Sequence, residues 1–317
     1  MKALVTGAAG FIGSHLSAVL AARGFDVVGL DCFTDYYGRD QKEANLATLA
    51  RTRQFRFVEG ALQTVDLGAL LDGVTHVFHL AAQAGVRRSW GTEFSVYTSH
   101  NVEATQRLLE AVKSRNLARF VYASSSSVYG DLVAIPMREE SALHPVSPYG
   151  VTKLAAEHLC YLYYVNYGVP AVSLRYFTVY GPRQRPDMAF HKFLRAALTG
   201  QPIAIYGDGE QTRDFTFVAD AVAATATAGD RGRPGAVYNI GGGSRVTLNS
   251  VLDRLAGITG RKLDIRREDP QKGDMRDTFA DTTRALEDLD FRPTYTLDAG
   301  LAAEYEWLAD SLKGSRR

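Results

Sequence analysis

The sequence predicts an α/β fold: a doubly wound parallel sheet followed by a smaller C-terminal substrate-binding domain. Three observations carry that expectation. Short apolar runs alternate with helical stretches through the first half of the chain. A glycine-rich turn separates the first run from the first helix. After about Phe177 the alternation gives way to turn-rich pieces such as YGPRQRPDM and IYGDGEQTRDF. Strands that alternate with helices need crossover connections, so they lie parallel, with ligands outside their carboxyl ends.

Taken in order, Lys2–Thr6 reads as a short buried strand, residues 7–13 as a turn, and Phe11–Ala22 as a helix that Gly24 ends as a C′ glycine. Residues 25–31 form a second strand and complete a βαβ opening. Further strands are expected at residues 55–58, 76–80, 120–123 and 171–176, with helices notably at 99–115 and 149–167. Residues 1–177 are read as the sheet domain. Residues 178–317 are read as mainly the substrate domain, with segments returning to the first. No internal repeat or low-complexity run interrupts the chain, and Arg316–Arg317 is expected to fray.

Composition limits the function classes. A chain of 317 residues with 46% hydrophobic and 22% charged residues is ordinary for a globular protein. A formal net charge of +1 argues against a nucleic-acid surface, though it leaves room for a local basic pocket. The two cysteines, Cys32 and Cys160, have no CxxC spacing, and free thiols favour a reducing compartment. The N-terminus runs straight into a strand without a signal-type apolar region, and no stretch approaches the ~20 apolar residues of a membrane helix. The expectation is a cytoplasmic enzyme with no membrane contact. The seven histidines show no HxH or HExxH spacing, so no metal is assigned. His79, within a strand, reads as an interior histidine.

Chemistry enters at the turn Thr6-Gly7-Ala8-Ala9-Gly10-Phe11-Ile12-Gly13. Gly7 permits the tight turn, Gly10 lets backbone approach a pyrophosphate, and Gly13 lets the helix pack on the strand. Unpaired N–H groups at the helix start then face the phosphates. A glycine pattern alone is weak. This one follows a strand, opens a helix and has Asp31 at the end of the next strand, where a carboxylate accepts from the ribose hydroxyls and repels a 2′-phosphate. The pattern is that of a Rossmann domain binding NAD rather than NADP.

A second constellation is Ser147-Pro148-Tyr149-Gly150-Val151-Thr152-Lys153. Ser147 suits an N-cap and Pro148 the first helical position. Tyr149 and Lys153, four apart, share a face. A lysine ammonium and an oxidised nicotinamide both favour the phenolate, which makes Tyr149 a candidate general base. The pair by itself is commonly just a surface pair. The serine run Ser124-Ser125-Ser126-Ser127 at the end of a strand, followed by Val128-Tyr129-Gly130, makes it more than that, because that strand end faces the cofactor cleft.

With the glycine turn, the SSSSVYG run and the Tyr149-x-x-x-Lys153 motif, the sequence resembles the extended short-chain dehydrogenase/reductase family of nucleotide-sugar epimerases, dehydratases and decarboxylases. The likeness covers nearly the whole chain, through Arg213-Asp214-Phe215 and Gly273-Asp274. It implies tightly held NAD, a triad of Ser125, Tyr149 and Lys153, and a homodimer. It also implies cofactor contacts from Leu62, Leu80, Ala81, Ala82, Gln83 and Tyr176, alongside the turn residues, Asp31, Tyr149 and Lys153. Dehydratases carry an Asp-Glu pair in the serine run and decarboxylases a glutamate before VYG. Here Ser126 and Ser127 stand in those places, so simple epimerisation fits.

Three segments, at residues 31–37, 83–87 and 175–188, look like those of UDP-glucuronate 4-epimerases. UDP-galactose epimerases are similar but carry asparagine at the position of Thr178 and lack the arginine of Arg185. The resemblance therefore implies a UDP-sugar passing through a 4-keto intermediate, with UDP-galacturonate as product. With its carboxylate on C5 that intermediate is a β-keto acid, so an epimerase must hold the carboxylate near the ketone plane. Thr178, Ser127 and Arg185 are the candidates for that grip. Arg213, and with it Arg87 or Arg276, is expected at the diphosphate, and Asp274 among the substrate contacts. Tyr206 is a candidate for the uracil face and equally for the core. Tyr161, Tyr163, Tyr164 and Tyr167 are read as packing or a dimer face. Ala61, Cys32 and Gln271 depart from family residues at the adenine, ribose and diphosphate. A UDP-glucose or dual-specificity 4-epimerase is the alternative, and a non-catalytic NAD sensor a more distant one.

Overall fold

β1 (Lys2–Thr6) alternates as strand geometry dictates: Ala3 and Val5 enter one apolar layer and Leu4 the other. In the computed structural model, which describes residues 1–131 and 133–314, six more strands lie parallel to or beside it. They are β2 (Asp26–Asp31), β3 (Phe55–Glu59), β4 (His76–His79), β5 (Arg119–Ser125), β6 (Ala171–Tyr176) and a final strand, Val237–Ile240. The order is β3-β2-β1-β4-β5-β6 and then Val237–Ile240, every pairing parallel. Residues 315–317, the expected frayed end, and Leu132 lie outside the described residues.

Both faces of the sheet are covered, as a parallel sheet requires. On one side Val5, Phe78, Val121 and Leu174 pack with helix α1 (Phe11–Ala22) and helix Val218–Arg231. On the other, Leu4, Val77, Phe120 and Tyr122 pack with helices Ala104–Val112 and Pro148–Tyr167. The first layer is continuous with the core of the C-terminal part, through Phe190, Leu252 and Leu301. The last strand and helix Val218–Arg231 both come from beyond residue 177 yet complete the sheet domain.

Local chemistry sets the boundaries. Gly24 adopts φ +85° after α1; its N–H donates to Ala21 O and that of Phe25 to Leu20 O, a Schellman closure that delays β2 to Asp26. The helix expected at 99–115 is interrupted: Thr98–Glu103 is a π turn between Phe94–Tyr97 and Ala104–Val112. It aims Asn101 at the backbone of Gln83, whose N–H donates to Oδ1 at 2.7 Å, and at Thr152 Oγ1, to which Nδ2 donates at 3.0 Å. No helix among the described residues is long and apolar enough to cross a membrane.

Candidate active site

The sheet order reverses between β1 and β4, and the crevice above that switch point holds the glycine turn. Gly7 sits at φ +73°. A Cβ on Gly13 would lie 2.1 Å from Gly7 O, so no side chain is tolerated where the helix meets the turn. Gly10, at the N-cap of α1, provides no side-chain cap, so the helix presents its first N–H groups to the crevice. Asp31 is fixed at the rim by two backbone donors, Ala9 N at 3.1 Å and Phe33 N at 2.9 Å. Phe33 adopts φ +49° to make that turn. Each carboxylate oxygen keeps a free acceptor position for a diol. A bare cradle, an uncapped helix start and an oriented carboxylate fit a dinucleotide.

Every residue expected at the cofactor lines this one cleft, from Gly7, Gly10, Phe11, Ile12, Gly13 and Asp31 through Leu62, Leu80, Ala81, Ala82 and Gln83 to Tyr149, Lys153 and Tyr176. Sequence reasoning missed Tyr36, Tyr37, Lys42 and His100, which line it too. Lys42 is buried and donates to Thr34 O at 2.5 Å beside Asp31. Cys32 lines the cleft; Ala61 does not, although its neighbours Gly60, Leu62 and Gln63 do.

The catalytic helix begins as its sequence implies. Ser147 Oγ accepts from Gly150 N at 3.1 Å, and Pro148 occupies the first turn. Ser125, at the end of β5, accepts from Ser127 N at 3.1 Å and stands close enough to the Tyr149 phenol to lower it. Burial pushes the Tyr149 phenol up, while the Arg185 cation and the Ser125 hydrogen bond pull it back down. Arg185, expected at the sugar carboxylate, is thus also a cation that acts on the phenol. Lys153 Nζ stands 4.5 Å over the Tyr122 ring, and burial lowers its pKa to about 7.

A second pocket adjoins the cleft, lined by Val86, Ser126, Ser127, Thr178, Arg213 and Asp274, among others. Arg87 closes its rim: Nη2 donates to Asp274 at 2.7 Å, and the guanidinium lies 4.1 Å over the Tyr206 ring. Tyr206 thus turns one face to Arg87, not to a base. Arg276 is paired to Asp208 through two hydrogen bonds. The three expected carboxylate holders divide. Ser127 and Thr178 share the second pocket, while Arg185 stands in the cofactor cleft. There its Nε and Nη2 donate to Asp187 at 2.9 and 3.0 Å, and Tyr36 OH donates to the same carboxylate at 3.2 Å.

The family model for the NAD-dependent epimerase/dehydratase family matches residues 3–241. The chain belongs to that family. Within it, the chain is 45% identical over 316 residues to a Bacillus subtilis protein described as the uncharacterized UDP-glucose epimerase YtcB, covering 99% of this chain and all of that one. Its structure is similar to that of a Bacillus cereus UDP-glucuronic acid 4-epimerase crystallised with UDP-glucuronic acid and NAD, at TM-score 0.96 and 43% identity over 98% of this chain and all of the other. It is also similar to MoeE5, solved with NAD and either UDP-glucuronic acid or UDP-glucose, at TM-scores 0.90 and 0.89, with 43% identity and the same coverage. As a family member this epimerase-type protein uses NAD, and the expected turn, triad and cleft are the parts that would hold it.

Proposed function

We propose that this protein inverts C4 of a UDP-sugar and that its principal sugar is UDP-glucuronate, converted reversibly to UDP-galacturonate. The observation that carries the reading is the pocket beside Tyr149, lined by the hydroxyls of Ser126 and Ser127, where dehydratases and decarboxylases present acids, and by that of Thr178. NAD, when bound in the cleft, supplies reversible hydride acceptance. The chain supplies the rest. Tyr149, with Ser125 beside it, takes the proton of the 4-hydroxyl and returns it. Lys153 adds its charge behind the phenol. Ser127 and Thr178 offer hydroxyls to the sugar carboxylate and so resist the perpendicular geometry that loses carbon dioxide. Arg185 acts from the other side, on the phenol and through its remaining Nη1 donors. Arg213 and Arg87 face the diphosphate, with Asp274 orienting Arg87.

UDP-glucose remains the second reading, favoured by the description of the Bacillus subtilis relative and by the UDP-glucose complex of MoeE5. One experiment separates the readings: incubation with UDP-glucuronate, or with UDP-glucose, without added NAD, followed by proton NMR. UDP-galacturonate from the first and little turnover of the second is the expected result. Faster turnover of UDP-glucose would reverse the assignment, and no turnover of either would favour a sensor.

We infer a homodimer in a reducing, cytoplasmic setting. Tyr161, Leu162, Val165 and Tyr167 are all about half exposed on the catalytic helix, an apolar face of the kind that pairs with its own copy, whereas Tyr163 is buried. Both cysteines are free thiols. Light scattering at micromolar concentration checks the first point: a monomer there would refute the dimer.

A further inference from the structure

A run of buried hydrogen bonds crosses the molecule beneath the crevice. Its members, Thr6, His79, Asn101, Thr105 and Thr152, are each at most 1% exposed, and none of them lines the cofactor cleft. It starts at the cofactor cradle, where Ala81 N donates to Thr6 Oγ1 at 3.1 Å, one residue before Gly7. Thr6 Oγ1 lies 2.7 Å from His79 Nδ1, and His79 Nε2 lies 2.9 Å from Thr105 Oγ1. Thr105 Oγ1 donates to Asn101 O, in the π turn, at 2.6 Å. There the run divides. Asn101 Oδ1 accepts from Gln83 N, while Nδ2 donates to Gln83 O at 3.1 Å and to Thr152 Oγ1. Thr152 Oγ1 ends the run by donating to Tyr149 O at 2.8 Å.

Counting hydrogens fixes the direction of every bond. A threonine hydroxyl has one hydrogen. That of Thr105 goes to Asn101 O, which can only accept, so His79 Nε2 carries a hydrogen and donates it to Thr105. The His79 ring packs against Phe120 and Tyr122, and burial lowers its pKa to about 3, so the ring is neutral and Nδ1 is bare. Nδ1 therefore accepts the hydrogen of Thr6, whose oxygen accepts from Ala81. At the other end the hydrogen of Thr152 goes to Tyr149 O, so its oxygen accepts from Asn101. A buried network satisfied in this way favours one arrangement of the segments it joins, since any slip strands a polar group away from water.

The segments joined are the two that must meet for hydride transfer. Ala81 and Gln83 line the cofactor cleft, as do Tyr149 and Lys153 on the catalytic helix, and Thr152 immediately precedes Lys153. We propose that His79 is a positioning residue that, through Thr105 and Asn101, holds residues 81–83 of the cofactor cradle in register with the catalytic helix. A misplacement of about 1 Å between reacting groups can cost about a hundredfold in rate, so a link remote from the chemistry can govern it. The expected rate effect rests on the epimerase reading; the ring tautomer and the cofactor affinity do not.

The test compares Thr105→Val, which keeps the shape and loses the hydroxyl, with Thr105→Ser, which keeps the hydroxyl. In Thr105→Val, NAD affinity by calorimetry is expected to fall about tenfold. Its kcat on UDP-glucuronate at saturating NAD is expected to fall about ten- to a hundredfold, with KM within about twofold, because the hydroxyls of the second pocket are untouched. Thr105→Ser is expected within about twofold of wild type in all three. A Thr105→Val protein that melts lower yet keeps its kcat and NAD affinity would make the run merely structural and overturn the proposal, as would equal losses in the two variants. Wild type supplies the check if Thr105→Val does not fold. Ring 15N NMR, with His79 assigned through its contacts with Phe120 and Tyr122, is expected to show a neutral ring carrying its hydrogen on Nε2 from pH 5.5 to 8. A hydrogen on Nδ1 in that range overturns the proposal. A wild type that binds NAD but turns over no UDP-sugar refutes the epimerase reading separately, and the NAD affinities then decide.

Discussion

Glu304 gives the sharpest stability prediction. It is fully buried on the C-terminal helix Leu297–Gly314, where its Oε2 accepts from Gly181 N at 2.8 Å. Its Oε1 has no partner among the described residues. That bond helps to hold the loop that continues to Arg185 and Asp187, together with contacts of His15 to Pro182 O and of Arg183 to Ser14 Oγ. Burial raises the carboxyl from 4.5 to about 8, against the smaller opposing effect of the Gly181 N–H. The folded state therefore holds a proton that the unfolded state releases above about pH 4.5. Its stabilising contribution is complete below that pH and is lost as pH rises, by about 1.4 kcal/mol per unit, until the folded group also ionises near 8. Between pH 5 and pH 8 the loss is roughly 3 kcal/mol, or about 4 °C in Tm for a chain of this length. Glu304→Gln keeps the acceptor for Gly181 and removes the titration. At pH 5 the variant is expected within about 1–3 kcal/mol of wild type, since its extra N–H lacks a partner as the protonated acid does. Urea or thermal unfolding of both proteins across that range is the assay. The difference between them must swing by about 3 kcal/mol in favour of the variant as pH rises; two parallel curves would refute the burial argument.

Three further outcomes follow from the site. Gly13→Ala drives a methyl into Gly7 O, so NAD affinity is expected to fall at least about a hundredfold, by the same logic that demands glycine there; binding calorimetry checks it. Asp31→Asn removes the repulsion of a 2′-phosphate while leaving buried Lys42 beside it, so the ratio of NADP to NAD affinity is expected to rise about tenfold or more; an unchanged ratio would clear Asp31 of that role. Arg185→Ala withdraws the cation that lowers the Tyr149 phenol, so UDP-glucuronate turnover is expected to drop and decarboxylated sugar to increase. If both stay at wild-type levels, Arg185 has no part in the chemistry.

Much of the cofactor site was legible because it is built from contiguous chain. A strand, a three-glycine turn and a helix determine one another through local backbone conformation, as the φ of Gly7 and the Gly13 contact illustrate. The catalytic helix is equally local: Ser147 caps it, Pro148 opens it, and Tyr149 and Lys153 fall on one face by its periodicity. The π turn at Thr98–Glu103 was not legible, since its residues read as ordinary helix and only the tie of Asn101 to Gln83 and Thr152 favours the extra residue.

What the sequence determined by itself, then, was the sheet, the dinucleotide turn and the local geometry that sets Tyr149 and Lys153 on one helix face. The tertiary structure decided how charges are distributed around them. It turned Arg185 toward Asp187 and Tyr149 instead of gathering it with Thr178 and Ser127, set Arg87 on the Tyr206 ring, and placed Glu157 with Arg175 behind Lys153. The physical reason is range. Backbone geometry repeats every few residues and leaves its mark in spacing, whereas an ion pair is chosen among all the partners that folding brings within reach, and those come from segments as far apart as residues 87 and 274.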